Sequence, residues 1–186
     1  FTNDEIYREF MILTLHGQTK DALAKTKFGA WEYDILAPNY KFNMTDIMSS
    51  IGLAQMQRYP KIMERRKGII KRYEEGLKNS KVQVLEHYID DFESCGHLFL
   101  TRVSGATEKE RNLIIEKMAE RGIATNVHYK PLPLLTAYKN LGFKIENYPN
   151  SFEIYKNEIS LPLHTLLTDE EIEYIVRNYL EIVEEV

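Results

Sequence analysis

The apolar residues of this chain first change their period after Asn79-Ser80. Before that point they recur at helical spacing, as in Ile69, Tyr73 and Leu77. After it they alternate, first in Val82-Gln83-Val84-Leu85 and again from Cys95 to Val103. A period near 3.6 buries one stripe of a helix, and a period of two buries one face of a strand. The two stretches are therefore different kinds of element, and the expected domain boundary lies between residues 1–80 and residues 81–186.

Upstream of the change, Thr2-Asn3-Asp4-Glu5 reads as a helix cap, and Ile6, Phe10 and Leu13 follow at helical spacing, predicting an amphipathic helix over residues 3–15 that ends near His16-Gly17. From Gln18 to Asn43 the chain is irregular yet carries Phe28, Trp31, Tyr33, Tyr40 and Phe42, too apolar for a free linker. Thr45-Asp46 opens a helix with Ile47, Ile51 and Ala54 on one face. After Pro60 a second, longer helix carries Ile62, Arg66, Ile69, Tyr73 and Leu77.

Downstream, Thr107-Glu108-Lys109-Glu110 is a capping box, with Leu113, Ile114 and Met118 facing a core and Gly122 at the C-terminal cap. Ile123, Thr125, Val127 and Tyr129 alternate with Ala124, Asn126 and His128, predicting a strand stopped by Pro131 and Pro133. A short helix near residues 150–158 and an extended Ser160-Leu161-Pro162-Leu163 follow. Thr168-Asp169-Glu170-Glu171 is a second capping box, heading a helix whose apolar set is Ile172, Ile175, Val176, Tyr179, Leu180 and Val183. The order predicts an α+β domain in which helices cover one face of a small, largely antiparallel sheet.

Composition narrows the function classes. Of 186 residues, 24 are Lys or Arg and 28 Asp or Glu, a formal charge of −4, which supplies no basic field for nucleic acid or an acidic membrane. The lack of a basic recognition helix likewise argues against a winged-helix nucleic-acid binder. A single cysteine, Cys95, cannot form an internal disulfide, so a reducing, cytoplasmic setting is expected; in its strand-like run it reads as a small buried hydrophobe. There is no bilayer-length apolar run. The five histidines are scattered without ligand spacing, and no metal site is expected.

Two local arrangements admit either a chemical or a plain reading. Lys41 and Asn43 stand just before the helix that opens at Thr45, where unpaired N–H groups and the helix dipole attract phosphate; equally, they are a solvated lysine and a cap. Asn126 and His128 either face a ligand at a strand end or form a polar sheet face.

The wording of the chain adds a resemblance. Ala37-Pro38-Asn39-Tyr40-Lys41-Phe42-Asn43-Met44-Thr45-Asp46-Ile47, continuing through Ile51-Gly52-Leu53-Ala54-Gln55, resembles a signature of the DegT/DnrJ/EryC1/StrS aminotransferases, which are fold-type I pyridoxal-phosphate enzymes. Leu15-His16-Gly17, Arg65-Arg66 with Tyr73, Gly122-Ile123 leading to Val127-His128-Tyr129-Lys130-Pro131-Leu132, and Leu161-Pro162-Leu163-His164 before Leu167-Thr168-Asp169-Glu170 match in the same order.

The resemblance implies a C-terminal half: the end of the large domain and linking helices with a dimer-interface loop in residues 1–80, and the small α+β domain in residues 81–186. It implies transfer of an amino group from glutamate to a nucleotide-linked keto sugar, with wording nearest to members acting at C4 of UDP sugars. The Schiff-base lysine, the acid that pairs with the pyridine nitrogen and the aromatic stacked on the ring match nothing here, so no catalytic residue is assigned. The chain begins at Phe1 without an initiator methionine and is expected to be an inactive fragment of a homodimeric enzyme. Lys41 and Asn43 are implied to reach the partner's cofactor phosphate, although many members carry asparagine and arginine at those two positions. His128 and Tyr129 are implied to line the substrate side, and Trp31 to Tyr40 the dimer interface. The alternative is a non-catalytic dimerisation or sugar-nucleotide-binding module derived from the family.

Overall fold

The computed structural model describes residues 3–19, 34–42 and 44–186 of the chain. It forms two compact units, Phe1–Gln57 and Arg58–Val186.

In the first unit, Asn3 sits in extended conformation and its side chain accepts from the N–H groups of Glu5 (2.8 Å) and Ile6 (3.4 Å), opening α1 (Asp4–Thr14). Asp4 and Glu5 in the first turn suit the positive end of the helix dipole. The helix stops where His16 and Gly17 both turn left-handed, and the Gly17 N–H donates to the Ile12 carbonyl at 2.9 Å. A β-carbon at position 17 would land on the Ala37 carbonyl oxygen, so the turn admits only glycine. The chain then pairs antiparallel with a later stretch, Leu15 opposite Lys41 and Gln18 opposite Ile35. The helix is where the sequence predicts it, but its apolar stripe is not buried: Ile6, Phe10 and Leu13 are all exposed. Of the aromatic cluster, Tyr40 and Phe42 are exposed with ring centroids 5.8 Å apart. Phe28, Trp31, Tyr33 and Asn43 lie outside the described residues.

Where the sequence predicts two helices separated by Pro60, there is one, α2 (Asp46–Leu77). Proline removes one helical N–H and crowds the carbonyl of Met56, a cost of about 3 kcal/mol. Beyond it Ile69, Ile70, Tyr73 and Leu77 are fully buried, at about 1.5–3 kcal/mol per side chain, which offsets that cost. The earlier apolar residues Ile47, Ile51, Leu53 and Met56 are exposed.

The second unit is built on an antiparallel sheet in the order β1 (Val82–Val84), β4 (Phe99–Val103), β5 (Glu158–Leu161). Between β1 and β4 lies a small hairpin, β2 (Tyr88–Ile89) and β3 (Phe92–Glu93), that the sequence did not predict. The inner face presents Val82, Phe99, Val103, Ile159 and Leu161 to α2, to α3 (Glu108–Glu120) and to the last helix, α6 (Asp169–Glu185). Helices thus cover one face of a small antiparallel sheet, as predicted. Between α3 and β5 run two single turns of 3-10 helix and the short helices α4 (Thr136–Asn140) and α5 (Pro149–Tyr155).

Both capping boxes are formed. Glu110 accepts from the Thr107 N–H at 2.7 Å and Glu171 from the Thr168 N–H at 2.8 Å, with the reciprocal bonds at 3.3 and 3.2 Å.

Five further expectations need correction. Leu113 is exposed, and the buried neighbour on α3 is instead Arg111, whose guanidinium donates to the Tyr155 carbonyl at 3.0 Å and lies 4.6 Å from the Tyr155 ring. The strand expected from Cys95 starts only at Phe99, because Gly96 adopts φ 59, outside the extended region, and Cys95 is exposed. Residues 123–129 are not a strand; they contribute a single bridge, Asn126 opposite Ser160. β5 begins at Glu158, inside the stretch read as helix.

Candidate functional site

The outer face of the same sheet is where polar groups converge. Strand alternation that turns Phe99, Thr101 and Val103 inward turns Leu100 and Arg102 outward, and on β5 it separates Ile159 and Leu161 from Glu158 and Ser160. Register sets Leu100 opposite Ser160 and Arg102 opposite Glu158. The Asn126 bridge lays residues 126–128 along the free edge of β5: the Asn126 N–H donates to the Ser160 carbonyl at 3.2 Å, and the Ser160 N–H donates back at 2.8 Å. An open cavity of about 260 Å³ results, lined by Gln83, Leu100, Arg102, His128, Ile154 and Glu158 among others.

Glu158 is the deepest charge-bearing group there, 3% exposed. One of its oxygens, Oε2, accepts from the His128 backbone N–H at 2.9 Å, and the other, Oε1, meets the Ser160 hydroxyl at 2.5 Å. That hydroxyl is also 2.7 Å from His128 Nδ1. Burial pushes the Glu158 carboxyl above its ordinary range, opposed by the bonds from Ser160 and His128 and by the charges of His128 and Arg111. Arg102, its cross-strand neighbour, is engaged elsewhere, donating to Asn157 Oδ1 (3.0 Å) and to the Glu153 carbonyl (3.1 Å).

The predicted residues fare differently. His128 is half-buried on the cavity wall, and Tyr129 stands edge-on to it at 4.7 Å, 73% exposed, across a cis peptide bond. The structure thus brings these two together. Asn126 is exposed, and its side chain closes a local turn by accepting the Val127 N–H at 2.8 Å. Lys41 belongs to the first unit; it is exposed, and among the described residues no carboxylate lies within ion-pair distance of it. The helix after it is capped by Thr45, which accepts the Met48 N–H at 3.4 Å. Asn43 lies outside the described residues. Arg65, Arg66 and Tyr73 are ties within the second unit: Arg65 pairs with Asp169 at 2.9 Å, Arg66 donates to the Gly96 carbonyl at 2.9 Å, and the Tyr73 hydroxyl donates to the Pro162 carbonyl at 2.8 Å.

Glu158 and Ser160 are the functional candidates that sequence reasoning missed. The available signal was their i, i+2 spacing, which puts both on one face of a strand whose other face is Ile159 and Leu161. Among the described residues no helix is long and apolar enough to cross a membrane, and no group of three His, Cys, Asp or Glu side chains is placed to hold a metal ion.

The model of the DegT/DnrJ/EryC1/StrS aminotransferase family matches residues 1–179. A solved structure from Streptococcus pneumoniae, described as a sugar aminotransferase and in its PMP form, superposes with a TM-score of 0.88 at 56% identity, over all of this chain and 46% of that one. The spore coat polysaccharide biosynthesis protein SpsC of Bacillus subtilis is 29% identical over 97% of this chain and 48% of its own length. The UDP-4-amino-4,6-dideoxy-N-acetyl-β-L-altrosamine transaminase of Helicobacter pylori is 27% identical over 97% of this chain and 46% of its own. The chain spans about half the length of the curated relatives it matches.

Proposed function

Because the chain belongs to the DegT/DnrJ/EryC1/StrS aminotransferase family, we propose that it is part of a pyridoxal-phosphate-dependent enzyme that converts a nucleotide-linked keto sugar to an amino sugar, with glutamate as amino donor. The observation that carries this reading is the family match over residues 1–179. The transaminase named for a UDP sugar and the neighbour in its PMP form support the substrate class and the cofactor.

On this reading the chain's own residues bind and position. Bound pyridoxal phosphate would supply the electron sink that amino transfer needs. Lys41 offers an exposed ammonium, without a competing carboxylate among the described residues, just ahead of a helix start, a donor set that fits a phosphate, and Asn43 beside it is the second candidate. His128 and Tyr129 line the substrate side, where an imidazole and a phenol can bond sugar hydroxyls. The exposed apolar residues Tyr40, Phe42, Met44, Ile47 and Leu53 fit a homodimer surface. The free, exposed Cys95 fits a cytoplasmic enzyme. The lysine that bonds the cofactor lies outside these 186 residues on this reading, and the chain alone does not catalyse.

The decisive assay supplies the complete enzyme with glutamate and a UDP-4-keto sugar and follows 2-oxoglutarate. Its appearance only in the presence of the sugar nucleotide is expected, and its absence across nucleotide keto sugars would overturn the reaction class. Separately, treating this chain with pyridoxal phosphate and borohydride should leave no stoichiometric adduct; a stable adduct on one specific lysine would overturn its supporting role. The second reading, a non-catalytic dimerisation or sugar-nucleotide-binding module, rests on the exposed apolar stretch around Ile47 and predicts dimers and sugar-nucleotide binding without any 2-oxoglutarate.

A further inference from the structure

Two short contacts on the outer face of the sheet share one hydrogen-poor atom. The Ser160 hydroxyl lies 2.5 Å from Glu158 Oε1 and 2.7 Å from His128 Nδ1, and each of these bonds needs a hydrogen between its heavy atoms. Serine carries one hydroxyl hydrogen. An ionised Glu158 carries none, and its other oxygen already accepts the His128 N–H. The serine hydrogen must therefore point at the carboxylate, and the hydrogen in the second bond must come from the ring.

From this count we propose that Glu158, acting through Ser160, sets the tautomer of His128, placing the ring proton on Nδ1 and leaving Nε2 bare as an acceptor. Among the described residues no other group competes for either end. The Ser160 main chain is spent on Asn126, and among the described residues Nε2 has no hydrogen-bond partner and is not a sealed-off atom. The ring belongs to the cavity wall. A bare imidazole nitrogen there takes a hydroxyl donor, such as a sugar hydroxyl, and rejects a carbonyl acceptor. This last consequence rests on the reading of His128 as a substrate residue; the tautomer does not.

The same count predicts the behaviour of a near-isosteric variant. In Glu158→Gln the His128 N–H still needs an acceptor, so the amide carbonyl takes that side and the amide NH2 faces Ser160. The serine oxygen then accepts from the amide, its own hydrogen turns to Nδ1, and the ring proton moves to Nε2. Glu158→Gln thereby inverts the tautomer with little change in volume.

The test is a two-bond 1H–15N correlation spectrum of 15N-histidine-labelled protein at pH 8, with the His128 signals identified by their loss in His128→Gln. Wild type is expected to show a protonated Nδ1 and a bare Nε2, and Glu158→Gln the reverse. A wild-type ring protonated on Nε2, or an unchanged pattern in a folded Glu158→Gln variant, would overturn the proposal. Should Glu158→Gln not fold, Ser160→Ala decides: uncoupled from the carboxylate, the ring should lose its Nδ1–H preference, and retention of that preference would overturn the assignment. In the complete enzyme, Glu158→Gln should raise KM for the sugar nucleotide about tenfold, the cost of one hydrogen bond, with KM for glutamate unchanged. If the spectra invert while both KM values stay put, the tautomer stands and the substrate role of His128 falls.

Discussion

Each face of the central sheet carries a hydroxyl that bridges two partners, and the two bridges end differently. On the inner face the Thr101 hydroxyl donates to the Ile159 carbonyl at 2.6 Å and, its single hydrogen spent, accepts from the Tyr179 hydroxyl at 2.8 Å. Thr101 and Tyr179 are both fully buried, and burial holds the phenol far above its usual range. On the outer face Ser160 spends its hydrogen on Glu158 and accepts from His128. The local chemistry is the same, a hydroxyl with one hydrogen and two neighbours. The difference lies at the far end: the inner bridge closes among α6 and strand atoms, whereas the outer one terminates in an imidazole on a cavity wall. A closed bridge can only stabilise, while an open one passes its hydrogen-bond direction to whatever enters.

The largest effect that breaks this contrast comes from removing what both bridges stand on. Phe99→Ala, in the middle strand beneath Tyr73 at 4.8 Å between ring centroids, should cost about 3–5 kcal/mol in urea unfolding and disturb both faces together. Next comes Thr101→Val, which leaves the Tyr179 hydroxyl buried without its partner. A loss of about 1–3 kcal/mol is expected, with the His128 ring signals unmoved; movement of those signals would show that the two bridges are coupled through the sheet.

A smaller effect sharpens the comparison through pH. Burial raises the folded-state pKa of Glu158 above its ordinary value near 4.5. Between the unfolded and folded values the native state binds more protons than the unfolded one, so the stability tied to Glu158 is fully present below about 4.5 and falls as pH rises through the folded value. Subtracting the unfolding free energy of Glu158→Gln from that of wild type should give a difference that declines from pH 4 upward. A difference that climbs instead would mean the hydrogen bonds to the carboxylate outweigh its burial. The smallest effect is the control: Arg72→Gln removes an exposed ion pair with Asp169, and should change stability by no more than about 1 kcal/mol and leave His128 untouched.

The parts of this fold that were legible in the sequence are those decided locally. The boxes at Thr107 and Thr168 formed because a capping hydroxyl and a glutamate three residues on need nothing else to meet. The stripe of α6 was legible for a related reason: its helical period coincides with its buried face. Pro60 misled because a local breaker was outweighed by burial farther along the same helix, from Ile69 to Leu77. Arg111 displaced Leu113 from the buried face of α3 because its partner, the Tyr155 carbonyl, comes from 44 residues away. His128 and Tyr129 were reached by resemblance, and the residues that orient His128 were invisible to it, since Glu158 and Ser160 gain their meaning only when β5 and residues 126–128 lie side by side. Lys41 too was reached by resemblance, and it is exposed.

The paired main-chain bonds between Asn126 and Ser160 act as a splint. They hold the histidine's stretch of backbone against the strand with atoms that every amino acid except proline possesses, so the side chain at position 160 is free to be swapped without undocking the loop. Orientation of the imidazole and attachment of the loop are thereby separable, and the electronic setting of this pocket can be rewritten by exchanging one hydroxyl while the scaffold stays in place.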